Sequence, residues 1–357
     1  MSDWSRIVNT TLKNYIRGEE ILILRNRKLL ALLKSRGRIT FNWSGDAMVY
    51  RLRYRRAPMF GYADAETMTF PRRDRWKTAE LPWRGYAATD SMTKGERLKN
   101  KSVEAIVNIY DSIARSLMED MEENFGDELY IDGNLTANQK RVHGIESFMG
   151  SSGASAGGYV ASPSDTFAGL STVLGNYGGS WTGNWPTGTG DAHYDFYSPL
   201  LVDYTDTLWE AGNTFANNAI ESTRYGIIKS MKNKTNKGRL DTIFYNDELY
   251  RTFLNRLDER ERIVVQSNAS NSTLIKLGFT DVQNFDGVDV TFEYGTPSGV
   301  GYGFNVDQME LRSQQGQLFV PEGPDYDIAS KSWRFSIDFF GNLCWIPRYF
   351  VKFASYT

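Results

Sequence analysis

Residues 93–126 read TKGERLKNKSVEAIVNIYDSIARSLMEDMEENFG, and this stretch decides the fold. Thr93 and Glu96 form a capping box, in which the hydroxyl accepts from a backbone N–H three residues on and the carboxylate reaches back. Val103, Ile106, Val107, Tyr110, Ile113, Leu117 and Met121 fall on one stripe of a 3.6-residue period. Gly126 is the expected C-terminal stop. A rod over this span is roughly 50 Å long at 1.5 Å per residue, well beyond the usual helix of about 11–12 residues. Its last turns are acidic. Glu119, Asp120, Glu122, Glu123, Asp127 and Glu128 crowd the end where the helix dipole is already negative. Carboxylates three and four apart also repel one another. This surface requires positive charge from elsewhere.

Just upstream the period changes from 3.6 to 2. Over 47–57, Met48, Tyr50, Leu52 and Tyr54 point one way, and Arg51, Arg53 and Arg55 the other. The segment APMFGYADAETMTFPRR (57–73) carries Gly and Pro punctuation, and RWKTAELPWRGY (75–86) reads as a return strand. The hairpin holds Arg51, Arg53, Arg55, Arg56, Arg72, Arg73, Arg75 and Lys77. Three readings fit it: a solvated face, a nucleic-acid grip with stacking aromatics, or one side of a protein–protein clasp. An isolated two-stranded hairpin is marginal in water, so it must lie on something. One this long projects from its own body, which points to the acids of a neighbouring subunit. The alternative is that those acids meet basic groups of their own chain, such as Arg25 or Arg27. Single exposed pairs contribute only about 0–1 kcal/mol, so a clasp needs a network.

The chain has 357 residues, enough for one large domain or two ordinary ones. A net charge of −2 argues against a generally basic nucleic-acid binder. Cys344 is the single cysteine, so no intrachain disulfide forms. The first residues carry no apolar run behind a basic start, and no stretch approaches the ~20 apolar residues of a membrane span. Abundant aromatics and glycines suit a sheet-rich protein with large interfaces.

Elsewhere the pattern is mixed. Residues 4–34 show helical spacing in two pieces broken near Gly18, with Trp4, Ile7, Val8 and Leu12 in the first and Leu22, Leu29 and Leu33 in the second. Arg25, Arg27, Lys28 and Lys34 take the other faces. Residues 150–190 are rich in Gly, Ser and Trp and read as long loops or a weakly structured insertion. Asn213 is expected to cap a helix carrying Phe215, Ala219, Thr223, Ile227 and Met231. LDTIFY (240–245) reads as a buried strand, and Asn246 caps the helix NDELYRTFLNRLDERERI (246–263). WRFSIDFF (333–340) alternates, with Trp333, Phe335, Ile337 and Phe339 on one face, and Gly341-Asn342 suits a tight turn into LCWIPRYFVKF (343–353).

Motifs for chemistry are weak. GASAG (153–157) matches G-x-S-x-G with Ser155, and His193 and Asp195 lie downstream. That nucleophile needs a strained strand-to-helix turn, and the Gly/Ser flanks here hold none. GVGYG (299–303) has no helix opening after it and reads as strand glycines or a bend. His143 and His193 are far apart, so a zinc cluster is not expected. Asp203 and Asp206 read as solvated loop acids rather than a cation site. No catalytic, cofactor or metal residue is assigned.

The order of elements, an arm, a hairpin, a long helix, a mixed domain and returning strands, resembles the major capsid proteins of tailed bacteriophages, the Hong Kong 97 fold. HGIESFMG (143–150), LDTIFYNDELYRTFLNRLDERERI (240–263), LGFTDVQNFDGVDVTFEYGTP (277–297) and WRFSIDFFGNLCWIPRYFVKFAS (333–355) are similar to that family's stretches. The resemblance covers nearly the whole chain without a diagnostic motif. It implies an α+β fold with an N-terminal arm (1–38), an extended hairpin loop (39–90) and a peripheral domain with the spine helix (91–142). An axial domain with the Gly/Ser-rich insertion (143–298) and returning strands shared by both domains (299–357) complete it. It further implies a structural protein, not an enzyme, without cofactors. Such a protein self-assembles through pentamers and hexamers into an icosahedral shell enclosing phage DNA.

The implied partners are the chain itself, a portal, a decoration protein in some relatives, and DNA held non-specifically, with no membrane. The place is the virion, assembled in the host cytoplasm. Some relatives carry a scaffolding segment ahead of the arm; with only residues 1–38 before the hairpin, a separate scaffolding protein is expected. Some cross-link through a loop lysine. Lys77 is the candidate here, although a salt-bridge role is the preferred reading. Other readings remain: an encapsulin-like nanocompartment shell, a monomeric nucleic-acid-binding protein and, last, a serine hydrolase.

Overall fold

The computed structural model describes residues 27–53, 59–70, 72, 74–99, 109–155, 159–174, 197–231, 239–260, 273–277, 279, 281–315 and 320–356. Two sheets organise it. The peripheral sheet is built on one long strand, Ser332–Trp345. Arg84–Thr93 pairs antiparallel along one edge, from Arg84 opposite Gly341 to Thr93 opposite Ser332. Met309–Gln314 and Val320–Asp327 follow one another along the other edge, and Ile39–Trp43 adds in parallel beyond Met309–Gln314. The period-two pattern decides which face is dry: Phe335, Ile337 and Phe339 are buried, while Arg334 and Phe340 are exposed.

Against the dry face lies the spine helix, Ile109–Glu128, through Ile113, Leu117, Met121 and Phe125. The Phe125 ring sits 4.8 Å from that of Phe339 and edge-on to Tyr86 at 6.1 Å, geometries that aromatic quadrupoles favour. The capping box is formed: Glu96 N donates to Thr93 Oγ1 at 3.3 Å, and Thr93 N to Glu96 Oε2 at 2.8 Å. It opens the helical turn Lys94–Lys99. Residues 100–108, with Val103, Ile106 and Val107 of the stripe, lie outside the described residues, as does the first helical piece of the arm.

The axial sheet runs in the order Gln283–Phe285, Val288–Phe292, Thr242–Tyr245, Gly301–Phe304, Val351–Ala354, Leu200–Asp203. Thr242–Tyr245 is buried at every position, as a central strand flanked on both edges must be. Its helix follows at Asp247–Arg260, and Asn246 Oδ1 accepts from Leu249 N. Asp286 and Gly287, at φ +48° and +78°, make the tight turn between 285 and 288. Of GVGYG, Gly301–Gly303 lie on a strand, and Gly299, at φ +72°, makes the bend before it. A Cβ on Gly301 would stand 2.3 Å from the Tyr245 ring, so glycine admits the aromatic.

Four local expectations are overturned by non-local contacts. Gly126 does not end the spine helix, which continues to Glu128. Its missing side chain makes room for Arg27, whose Cδ would lie 2.6 Å from a Cβ there. Gly341-Asn342 is not a turn: the strand runs straight through to Trp345. Gly341 pairs with both Arg84 and Ser313, and a Cβ would meet the Arg312 carbonyl at 2.3 Å. The helix Phe215–Ser230 is preceded by Thr214, not capped by Asn213, and Thr214 makes no capping bond. The return strand of the hairpin breaks at Trp83. Trp76–Pro82 stays with the hairpin, and Arg84–Thr93 joins the peripheral sheet.

Asn342 is buried where these parts meet. Its Oδ1 accepts from His143 N at 2.9 Å and Leu343 N at 2.8 Å. Its Nδ2 donates to Pro82 O at 2.8 Å and to His143 Nδ1 at 2.9 Å. That last bond requires an unprotonated Nδ1, and burial pulls the imidazole pKa down to about 4. Asn342→Ala leaves the buried His143 N–H without a partner and removes the bond to the Pro82 carbonyl at the hairpin root. Urea unfolding is expected to show a loss of roughly 3 kcal/mol. A loss below about 1 kcal/mol would mean that the amide holds nothing together.

Candidate assembly interface

The hairpin pairs Ala47–Arg53 with Trp76–Pro82, from Ala47 opposite Pro82 to Arg53 opposite Trp76. Met48, Ala79 and Leu81 face the body and are buried, whereas Val49, Arg51, Arg53 and Trp76 face water. Two bonds fix the root: Pro82 O to Asn342, and Glu80 N to Ala168 O at 3.0 Å. Past the strands, residues 59–70 leave large apolar groups in solvent. Met59 is 97% and Phe70 90% exposed, with Phe60, Tyr62 and Met68 also exposed. Of the basic candidates, Arg51, Arg53 and Arg72 are exposed and Arg75 and Lys77 half-buried; Arg55, Arg56 and Arg73 lie outside the described residues.

The acidic end of the spine helix is engaged within its own chain. Arg27 Nη2 stands 2.8 Å from Glu123 Oε1 and 2.8 Å from Asp127 Oδ1. Glu128 pairs with Arg141, whose Nε donates at 2.9 Å, and accepts from the Tyr86 hydroxyl at 2.6 Å. Thus three of the six acids meet intrachain partners, the alternative foreseen with Arg27. Glu119 is half-buried, and Asp120 and Glu122 are exposed. The seryl motif is not assembled among the described residues: Ser155 ends a short strand, and His193 and Asp195 lie outside them. Asp203 and Asp206 cap turns, accepting from Thr205 N and Leu208 N, each at 2.8 Å.

Beside Arg27, the arm helix Lys28–Ser35 begins in the core. Lys28 N donates to Glu293 Oε2 at 2.9 Å. Its Nζ reaches Thr291 Oγ1 at 2.8 Å and Phe292 O at 2.9 Å, 3.9 Å from the Phe292 ring centroid. Burial pushes the Glu293 carboxyl up to about 7, against the Lys28 N–H and the charges of Arg27 and Lys28. Burial also lowers the Lys28 amine. Both groups shift toward neutrality, so loss of water outweighs their mutual attraction. Sequence reasoning missed Lys28, Glu293 and Asn342; each is polar and sits in an otherwise ordinary segment.

A carboxyl raised in the folded state favours folding while protonated. Stability from Glu293 is therefore present below about 4.5 and lost as pH rises through about 7. The size is on the order of 3 kcal/mol. Glu293→Gln is expected to flatten that part of the stability–pH curve between pH 5 and 8. An unchanged slope in chemical denaturation would show that Glu293 does not titrate in this window.

No family model matches the chain, and no curated protein matches it. Solved structures do, over nearly the whole length. The chain is similar to the capsid asymmetric unit of cyanophage A-1(L), at 14% identity over 97% of this chain and 96% of that one, with a TM-score of 0.62. It is similar to the capsid of a native GTA particle, at 10% identity over 96% of each chain, with a TM-score of 0.56. The mature capsid of bacteriophage PhiM1 matches at 10% identity over 96% and 91%, with a TM-score of 0.53. At such identities the likeness speaks for the backbone. The chain has the Hong Kong 97-type capsid fold, a mixed α and β architecture with arm, hairpin, spine helix and two sheets.

Proposed function

We propose that this chain is the major capsid protein of a tailed bacteriophage, a structural rather than catalytic protein. It assembles through pentamers and hexamers into an icosahedral shell around DNA. One observation carries the reading: a hairpin fixed at its root presents Met59, Phe60, Tyr62, Met68 and Phe70 to solvent. An apolar end of this kind marks an interaction surface. In a closed symmetric shell a second copy of the chain covers it. The capsid fold supports the reading. The proposed domain order is arm, hairpin loop, peripheral domain, axial domain and shared strands, with Ile39–Trp43 and Arg84–Thr93 in the peripheral sheet rather than in the hairpin loop expected over 39–90. A scaffolding protein, a portal, in some systems a decoration protein, and packaged DNA are the partners, and the virion is the location.

Sedimentation and negative-stain microscopy of the full chain, alone and with a co-expressed scaffold, test this. Closed shells are expected; a stable monomer under every assembly condition would overturn it. Particles carrying enzyme cargo rather than DNA would favour an encapsulin-like compartment. Tight nucleic-acid binding by the monomer, falling steeply with salt, would favour a binding protein. Changing Arg51, Arg53 and Arg55 together to Glu is expected to block or weaken shell formation with an unchanged circular-dichroism melt. Normal shells from that variant would remove the basic strand from the interface.

A further inference from the structure

Four buried residues meet where the arm helix, the end of the spine helix and the turn 293–296 come together. Among the described residues, ten buried side-chain nitrogen and oxygen atoms lack a hydrogen-bond partner, and five of them are here: Arg27 Nε and Nη1, the Tyr130 hydroxyl, Glu293 Oε1 and Thr296 Oγ1. Such atoms are rare in folded proteins, so five at one place need a cause. No more than 8% of any of the four residues is exposed. They converge around Gly295, where a Cβ would stand 2.6 Å from the Tyr130 ring and 3.3 Å from Arg27 Nη1. Thr296 N closes the turn onto Glu293 O at 3.2 Å. Arg27 and Glu293 attract one another. Yet the ion pairs of Arg27 are made with Glu123 and Asp127, and Glu293 Oε2 is taken by Lys28 N.

The chemistry of these atoms selects the ligand. Arg27 Nε and Nη1 only donate, Glu293 Oε1 accepts when ionised, and the two hydroxyls do either. An anion would face the Glu293 carboxylate, and Glu123 and Asp127 already neutralise Arg27. A cation would face guanidinium N–H groups. A small neutral molecule that both gives and takes hydrogen bonds suits all five atoms, and in a buried polar site that molecule is water. We infer that Arg27, Tyr130, Glu293 and Thr296 form a binding site for ordered water. Glu293 then holds the arm through both of its oxygens, Oε2 directly to Lys28 N and Oε1 through water to Arg27. Water serves Glu293 in either protonation state, because it can donate to the carboxylate or accept from the acid. Burial, then the Glu293 charge, push the Tyr130 hydroxyl well above its usual range, so it keeps a proton to give. The site belongs to the single chain and stands whether or not the chain assembles.

Urea unfolding of the unassembled full chain tests the site by the sign of an effect. Tyr130→Phe with Thr296→Val removes both hydroxyls at nearly constant shape. Buried hydroxyls that bond nothing, or only each other, are replaced by apolar groups without cost or with a gain. Hydroxyls that hold water are not, and the double variant is then expected to lower the folding equilibrium constant about tenfold. An unchanged or higher constant overturns the inference. Should the double variant not fold, a high-resolution map of the unaltered chain decides. Density is expected at hydrogen-bond distance, about 2.7–3.2 Å, from both Arg27 and Glu293 Oε1. Direct bonds among the four residues, or a halide revealed there by bromide exchange, would refute the water site.

Discussion

The side-chain amide of Asn342 can make four hydrogen bonds, two given and two received, and it makes all four inside the protein. Its partners come from three places: the hairpin root at Pro82, the segment after the spine helix at His143, and its own strand at Leu343. The partners at His143 and Leu343 are buried polar groups that would be costly left unpaired. Around it, Trp345 Nε1 donates to His143 O and Tyr50 hydroxyl to Trp345 O, each at 3.1 Å. The angle at which the hairpin leaves the body is therefore set from within. A surface element whose direction is dictated by the core can act as a rigid connector.

The arm is joined differently. Arg27 and Lys28 enter a buried site facing Glu123, Asp127 and Glu293. Glycines at 126 and 295 give the guanidinium room on two sides. The neutral junction at Asn342 is indifferent to mildly basic pH, whereas the ionic junction at Glu293 is not. The hairpin root and the helix Lys28–Ser35 are thus fixed to one body by unlike anchors, one amide and one charged.

What the residues revealed in advance was local. The Thr93–Glu96 box, the Asn246 cap and the alternation through Phe339 each depend on neighbours in sequence, and each formed. Gly126 and Gly341-Asn342 carry the same residue types as a helix stop and a hairpin turn. Their roles are fixed by Arg27 and by the strands of Arg84 and Ser313, distant in sequence, which local rules do not contain. The acids of the spine helix were visible as a charge needing a partner. The choice of Arg27 and Arg141 depended on how the arm and the 141–143 segment fold back.

The pairing of the peripheral sheet has a consequence for how the protein is made. Among the described residues, Arg84–Thr93 pairs with residues 332–341 and Ile39–Trp43 with residues 311–315. On the ribosome, these early strands emerge with exposed edges and wait for their partners until most of the chain is synthesised. Such non-local sheets close slowly and leave sticky intermediates. The hairpin root, tied to Asn342, cannot be set before then either. Incomplete chains consequently lack the peripheral sheet and the fixed hairpin root, so the order of strands acts as a checkpoint on chain length.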